Sequence, residues 1–164
     1  MARTRSRILA GALVVALVAV LAGCGGGDDA DTAPPFTADV LGGGQLDSAS
    51  FSGEPTVLWF WAPWCTVCRG EAPDVVAAAE QLEGEVDLVG VAGRGEVPAM
   101  EDFVEETGTG GFAHVVDADG TIWSDYGVLS QPSFAFIAPD GTVETVTATY
   151  DEQELVDRME ALAA

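Results

Sequence analysis

Residues 56–73 read TVLWFWAPWCTVCRGEAP, and this stretch decides the fold. Residues 56–61 are apolar, aromatic or β-branched, a composition typical of a strand that is buried on both faces. Residues 65–82 follow with a helical pattern that is rich in Ala in its second half and ends before Gly84. The pair Cys65 and Cys68 therefore lies where a buried strand turns into a helix.

Alternating strands and helices are predicted for the rest of the domain. Residues 86–91 indicate a second buried strand, and residues 98–107 indicate a helix with Pro98 in its first turn and Gly108 beyond its end. This βαβα order predicts a parallel core. Further predicted elements are a leading hairpin at 36–46, a short strand at 114–117, an antiparallel pair at 133–138 and 142–149, and a final helix at 151–163. We therefore expect an α/β fold whose mixed central sheet is flanked by helices and preceded by a β-hairpin.

The chain is strongly acidic. Its 164 residues include 27 Asp or Glu, six Arg, one His and no Lys, so the formal net charge is -21. A nucleic-acid-binding protein needs a basic surface, and this composition excludes that role. Hydrophobic residues make up 48% of the chain, which is too many for a disordered acidic protein and enough for one domain with its own core.

The N-terminal residues have the pattern of an export signal. Three Arg within the first seven residues precede an uncharged run at 8–22, which is shorter than the roughly 20 apolar residues of a membrane span. A transmembrane helix is the alternative interpretation of this run. We predict a signal peptide at residues 1–23, a flexible Gly- and Asp-rich tether at 24–35 and one domain at 36–164.

The segment Leu-Ala-Gly-Cys at residues 21–24 resembles the lipobox of bacterial lipoproteins. The resemblance implies that Cys24 carries lipid, becomes the first residue after cleavage and does not pair with the other two cysteines. Two acyl chains on one residue suffice for stable anchoring. We therefore expect an extracytoplasmic lipoprotein anchored to the outer face of the cytoplasmic membrane.

The spacing and placement of Cys65 and Cys68 point to redox chemistry. At a helix start, free backbone N–H groups and the helix dipole stabilise a thiolate, and thiol pKa values at such sites fall from about 8.5 to roughly 3.5–7.5. A second thiol three residues later resolves a mixed disulfide. A zinc site needs further ligands, of which only His114 remains, and a structural disulfide that closes so short a loop stabilises little. Two free core thiols are the third alternative, and they give no reason for this position in an exported chain.

Residues 60–73 resemble the active-site stretch of thioredoxin-fold thiol-disulfide oxidoreductases of the TlpA, ResA and Dsb type. The likeness is nearest to the secreted Dsb-like proteins of high-G+C Gram-positive bacteria and extends over residues 36–163, including a helix and strand inserted at the centre of the fold. It implies that Cys65 is the nucleophile, that Cys68 resolves the mixed disulfide, and that the reaction needs no metal and no cofactor other than this redox-active disulfide.

The sequence Ser-Gln-Pro-Ser-Phe at residues 130–134 matches the family's cis-proline loop. The match implies that Pro132 is cis, that it lies against Cys65, and that the backbone of Gln131 pairs with an extended substrate segment. An ordinary trans proline is the alternative. Trp64, beside the nucleophile, is expected to cover the site and to offer an apolar contact to substrate.

The resemblance also implies partners. These are exported cysteine-containing proteins and a membrane redox partner, either quinone-linked or of the CcdA type. We expect a monomer. Trp59 stands six positions before the nucleophile, where many reductases carry a buried acid, and this difference favours an oxidase over a reductase that serves cytochrome c or copper-site maturation.

Two further residues are expected to be structural rather than catalytic. Glu71 follows Cys68 by one helical turn and is expected to be a solvated helix carboxylate, with an effect on the proton of Cys68 as the alternative. His114 is expected to be a hydrogen-bonded structural histidine. Two other functions use the same fold. A Sco-type copper chaperone needs a wider cysteine spacing and a suitably placed histidine, and a peroxidatic redoxin needs a Pro-x-x-x-Thr-x-x-Cys pattern, which fails because Val67 and Gly70 follow Pro63 at those positions.

Overall fold

A mixed five-stranded sheet forms the centre of the computed structural model, which describes residues 32–164. The predicted signal peptide at 1–23, Cys24 and most of the predicted tether lie outside the described residues. In chain order the elements are β1 (Thr37–Asp39), β2 (Gln45–Asp47), a 3₁₀ helix (Ser48–Phe51), β3 (Thr56–Trp61), α1 (Thr66–Gln81), β4 (Asp87–Gly93), α2 (Val97–Thr107), β5 (His114–Asp117), α3 (Thr121–Asp125), β6 (Ser133–Ile137), β7 (Val143–Val146) and α4 (Glu152–Ala163).

The strand order is β5-β4-β3-β6-β7. The β5, β4 and β3 strands are parallel, whereas β6 is antiparallel to β3 and β7 is antiparallel to β6. The predicted mixed sheet and the inserted α2–β5 segment are therefore confirmed. The predicted hairpin is also present as a separate β1–β2 sheet, which joins the edge of the main sheet through a bridge between Val40 and Val115.

Both faces of the sheet are covered, as the apolar run at residues 56–61 predicts. Alternate side chains of β3, namely Val57, Trp59 and Trp61, pack on one face with α1, α2 and α4. Leu58 and Phe60 pack on the other face with α3 and the hairpin. All six residues of β3 are buried, which makes β3 the rigid support from which the cysteine pair projects.

Three details differ from the sequence predictions. The short α3 was not predicted, and the carboxylate of Asp117 accepts hydrogen bonds from the N–H groups of Ile122 and Trp123 at its start. The β7 strand ends at Val146, earlier than residue 149. Residues 32–35, assigned to the tether, already contact the domain, since Thr32 bridges to Thr142. No helix within residues 32–164 combines the length and apolar character needed to cross a membrane.

Candidate active site

Cys65 is the residue that caps the N-terminus of α1. Its backbone is extended, with φ -76° and ψ 104°, and its Sγ accepts a hydrogen bond of 3.0 Å from the backbone N–H of Cys68. The two cysteines form a disulfide with their Cα atoms 5.3 Å apart. The sulfur of Cys65 therefore faces the N–H end of the helix, which stabilises negative charge.

The two sulfurs differ in access. Cys65 is 4% exposed and Cys68 is fully buried, so an incoming thiol reaches the pair from the side of Cys65. Trp64, immediately before it, is 59% exposed, as expected for a residue at the rim of the site. Trp59 and Trp61 are fully buried in the core.

The bond between Gln131 and Pro132 is cis, as the family resemblance implied. Pro132 is buried and Gln131 is half-buried, and both lie immediately before β6. The hydroxyl of Ser133 donates to the carbonyl oxygen of Ser130 and shares a hydrogen bond of 2.9 Å with Thr147. These contacts hold the loop at the same end of the sheet as Cys65, because β6 runs antiparallel to β3.

Glu71 corrects a sequence prediction, because it is 5% exposed rather than solvated. Its Oε1 accepts a hydrogen bond of 2.8 Å from the indole N–H of Trp59, and Oε2 has no hydrogen-bond partner among the described residues. The pKa of Glu71 is raised to about 7, mainly by burial and to a smaller extent by nearby Asp74, whereas the Trp59 N–H and the backbone of Tyr150 oppose the shift.

Glu71 therefore supplies the buried carboxyl that β3 lacks. Trp59 occupies the β3 position at which many related reductases carry a buried acidic residue. Its indole N–H instead donates a hydrogen bond to the carboxyl group of Glu71 on α1. Residues three apart on a helix have neighbouring side chains, so this carboxyl lies on the same side of α1 as Cys68. A group with a pKa near 7 exchanges protons readily at neutral pH.

His114 is a structural histidine, as predicted. It is 3% exposed, its Nδ1 accepts from the indole N–H of Trp61 at 3.2 Å, and its Nε2 lies 2.8 Å from the carbonyl oxygen of Thr109. Burial lowers its pKa to about 4. Both ring nitrogens are engaged, so His114 is not free to bind copper or zinc. Within residues 32–164 no three His, Cys, Asp or Glu side chains are grouped to hold a metal ion.

Arg94 joins the segments around the cysteine pair. Its carbonyl oxygen accepts a hydrogen bond of 2.8 Å from the indole N–H of Trp64. Its guanidinium donates to the carbonyl oxygen of Leu129 at 3.0 Å, approaches Gln131 Oε1 at 3.4 Å and stacks on Trp123 with 4.6 Å from Cζ to the ring centre. Its φ of 55° is left-handed, a conformation that a non-glycine residue adopts only when its surroundings enforce it.

Comparison with known proteins identifies the family. The profile of the AhpC/TSA family matches residues 30–146, well over half of the chain. The chain belongs to the AhpC/TSA family.

Comparisons with individual proteins indicate which activity within this family the chain most resembles. The soluble secreted antigen MPT53 of Mycobacterium tuberculosis (strain ATCC 25618 / H37Rv) is 43% identical over 162 residues, covering 96% of this chain and 91% of the relative. The thiol-disulfide oxidoreductase ResA of Bacillus subtilis (strain 168) is 28% identical, covering 86% and 79%. A solved structure of a secreted Mycobacterium tuberculosis disulfide oxidoreductase homologous to E. coli DsbE is 43% identical, with a TM-score of 0.72, covering 77% and 95%.

The AhpC/TSA match, the thioredoxin fold and these relatives together show a thiol-disulfide oxidoreductase of the DsbE/ResA type with Cys65 and Cys68 as its CxxC pair. The resemblance to secreted Dsb-like proteins is thereby confirmed.

Sequence reasoning placed the cysteines and Pro132, was wrong about the burial of Glu71 and missed Arg94. The burial of Glu71 depends on Trp59, which is twelve positions away in sequence. Arg94 lies in a loop and matches no motif. The one sequence feature that could have drawn attention to Arg94 is the scarcity of basic residues, because only three of the six Arg lie beyond the predicted signal peptide.

Proposed function

We propose that this enzyme exchanges the Cys65–Cys68 disulfide with exported cysteine-containing proteins outside the cytoplasm. The observation that carries the proposal is the capping geometry of Cys65, whose Sγ faces the helix N-terminus and accepts the N–H of Cys68. This arrangement makes Cys65 a good nucleophile when reduced and a good leaving group from a mixed disulfide. The reaction uses no cofactor besides the disulfide itself.

The proposed donation of a disulfide has two steps. A substrate thiolate attacks Sγ of Cys65, the bond between the two sulfurs breaks, and Cys68 leaves as a thiolate that takes up a proton. A second substrate thiolate then attacks the substrate sulfur of the mixed disulfide, and Cys65 leaves as a thiolate stabilised by the helix N-terminus. Two substrate thiols become one disulfide, and the CxxC pair becomes a dithiol.

Glu71 fits the role of proton donor and acceptor for Cys68 in this scheme. It lies one turn beyond Cys68 on α1, it is buried, and burial holds its pKa at about 7. The protonated carboxyl supplies a proton when Cys68 leaves, and the carboxylate removes it when Cys68 attacks a mixed disulfide in the opposite direction.

Substrate docking is assigned to the loop that contains Gln131 and Pro132, next to the exposed ring of Trp64. Gln131 is half-buried two residues before β6, and its backbone is assigned the pairing with an extended substrate segment. Pairing of this kind supplies main-chain hydrogen bonds and orients the substrate cysteine over Cys65. The exposed indole adds apolar contact at the rim.

Location outside the cytoplasm is supported by the secreted relative MPT53. Attachment through lipid on Cys24 rests on the lipobox resemblance alone. Metabolic labelling with an alkyne-bearing fatty acid tests it. The wild-type protein should become labelled and sediment with membranes, whereas Cys24→Ser should stay unlabelled; labelling of both proteins, or of neither, would contradict the anchor.

The direction proposed is oxidation of exported proteins, with a quinone-linked membrane partner that restores the disulfide and with the protein acting as a monomer. The likeness to a secreted disulfide oxidoreductase favours this direction. Glu71 favours the opposite direction, reduction of exported proteins. The absence of a buried acid from β3 was the argument for an oxidase, and the buried carboxyl of Glu71 takes the place of that acid. A reductase would instead draw electrons from a membrane partner of the CcdA type.

The reduction potential against glutathione decides between these directions. A value near about -120 mV, with the reduced form more heat-stable than the oxidised form, is expected of an oxidase. A value at or below about -250 mV would reverse the assignment. Copper(I) titration and a peroxide consumption assay test the two remaining alternatives, and we expect neither tight copper binding nor peroxide turnover.

A further inference from the structure

Arg94 differs from the other two arginines of the described chain in having no acidic partner. Arg69 pairs with Glu106 at 2.6 Å and Arg158 pairs with Glu144 at 2.9 Å. No carboxylate within residues 32–164 lies within ion-pair distance of the Arg94 guanidinium. In a chain with 27 acidic residues, an exposed cation that has no ion pair is unusual enough to need a reason.

The position of this cation is beside the docking loop. Its hydrogen bonds go to Leu129 and Gln131, which immediately precede Pro132, and its backbone binds the ring of Trp64. A guanidinium has five N–H groups, and these contacts use only part of them. The remaining donors are free for a group that arrives with the substrate.

We infer that Arg94 determines substrate specificity by binding a carboxylate located within two residues of the reacting cysteine of the partner protein. The inference rests on the proposed docking of substrate along Gln131. In an extended segment, residues two positions from the cysteine project on the same face at about 6.5–7 Å. A side chain at that position therefore faces the same surface of the enzyme as the cysteine, beside the loop that the Arg94 guanidinium contacts at Leu129 and Gln131.

The chemistry at this position selects a carboxylate. Arginine binds carboxylates through two parallel N–H groups, and stacking on Trp123 holds its plane in one orientation. The acidic remainder of the domain repels acidic partners at long range, and salt screens that repulsion beyond about 8–10 Å. Discrimination is therefore local to Arg94, and it selects an acidic residue beside the cysteine rather than an acidic protein.

The test uses the reduced protein and short blocked peptides in which one cysteine carries a mixed disulfide with 2-mercaptoethanol. Cys65 attacks the peptide sulfur, mercaptoethanol leaves, and Cys68 then releases the peptide thiol as the CxxC disulfide forms. One peptide set carries Glu or Lys two residues before the cysteine, and the other carries it two residues after. Second-order rate constants are followed by tryptophan fluorescence for wild type, Arg94→Gln, Arg94→Lys and Arg158→Gln.

The quantity compared is the ratio of the Glu-peptide rate to the Lys-peptide rate within each protein. Arg158→Gln is the matched control, because it makes the same change in net charge at an arginine that already has a partner. In at least one peptide set we expect the ratio to fall about fivefold in Arg94→Gln relative to wild type and to Arg158→Gln. Arg94→Lys, which keeps the charge, should restore more than half of the wild-type ratio.

A fall of less than twofold in both peptide sets would overturn the inference. Equal slowing of all peptides in Arg94→Gln, at an unchanged ratio, would also overturn it, because that result assigns Arg94 a purely positional role. Absence of any reaction between the wild-type protein and any peptide disulfide would overturn the proposed function as well, so the two failures are distinguishable.

Discussion

Cys65 and Cys68 differ in what surrounds each sulfur atom. Only Cys65 has measurable exposure, and only its Sγ accepts a backbone N–H at the start of α1. Iodoacetamide added to the reduced protein near neutral pH should therefore modify Cys65 and spare Cys68, as read by peptide mass spectrometry. Preferential modification of Cys68 would reverse the assigned roles.

The buried carboxyl of Glu71 makes the stability of the folded protein depend on pH, and the direction of that dependence follows from the shift of its pKa. Its pKa rises from 4.5 in the unfolded chain to about 7 in the folded protein, so the folded state binds the proton more tightly. The contribution of Glu71 to stability is therefore fully present below pH 4.5, is lost as the pH rises through 7 and stays lost above it. The total loss is at most about 3.5 kcal/mol, since each pKa unit corresponds to about 1.4 kcal/mol.

Glu71→Gln removes this titration and keeps an acceptor for Trp59. We expect the variant to be more stable than wild type at pH 8 and to resolve mixed disulfides more slowly, with the pH dependence near 7 lost. Urea unfolding between pH 4 and 8 and single-turnover kinetics measure the two effects. The control Glu80→Gln, on the exposed side of the same helix, should change neither; equal stability of wild type and Glu71→Gln at pH 8 would refute the expectation.

The final helix depends on its first residue. Asp151 accepts the backbone N–H of Glu154 at 2.9 Å, and the Glu154 side chain accepts the backbone N–H of Asp151, forming a capping box. This helix buries Leu155, Val156 and Met159 against the face of the sheet that carries α1. Its N-terminus is thus held by two reciprocal hydrogen bonds.

Asp151→Ala should lower the free energy of unfolding by about 1 kcal/mol. The backbone N–H of Glu154 loses its acceptor, and the reciprocal hydrogen bond from the backbone N–H of residue 151 to the Glu154 side chain is weakened. Chemical denaturation with an unchanged m-value measures it. Glu160→Ala, an exposed acidic residue in the last turn of the same helix, should change stability by only a few tenths of a kcal/mol. Similar losses in both variants would show that the cap is not the cause.

The secondary-structure elements formed by long apolar runs could be predicted from the sequence, whereas a short helix whose start depends on a capping side chain could not. The β3, β4 and β6 strands were predicted because their side chains are apolar on both faces, a pattern that one sequence displays directly. The five-residue α3 is too short to show helical periodicity, and its start is fixed by Asp117 from the preceding strand. Contacts of that kind become visible only after the strand has been placed.

The same distinction applies to the site. Cys65, Cys68 and Pro132 lie in local motifs, and the sequence alone identified them. Glu71 and Arg94 acquire their roles from partners far along the chain, Trp59 in one case and Leu129 in the other. An acidic residue on a helix is usually solvated, so only the fold reveals that this one is buried.

The acidity of the whole molecule predicts an unusual response to salt. The net charge is -21, and only two ion pairs are present within residues 32–164. Salt weakens such surface pairs slightly, but it screens the repulsion among many carboxylates at once. Raising NaCl from 10 mM to 1 M at pH 7 should therefore raise Tm by roughly 4 °C or more, equivalent to about 1 kcal/mol.

Calorimetry at two pH values provides the control. Near the isoelectric point of about 4.1 the net charge vanishes, and the same addition of NaCl should leave Tm almost unchanged. An equal rise at both pH values would attribute the effect to general salting-out. A fall in Tm at pH 7 would contradict the repulsion argument.

The bridge between Thr32 and Thr142 fixes where the described chain enters the domain. Thr142 follows the end of β6, and Ile137 pairs with Thr56 at the start of β3, so the chain enters the domain at the end of the sheet opposite Cys65. Cys24 stands eight residues earlier, a span of at most about 26–29 Å. With the lipid anchor proposed there, the cysteine pair lies at the end of the domain opposite its attachment to the tether, which favours a membrane redox partner whose cysteines are carried on an extramembrane domain or arm.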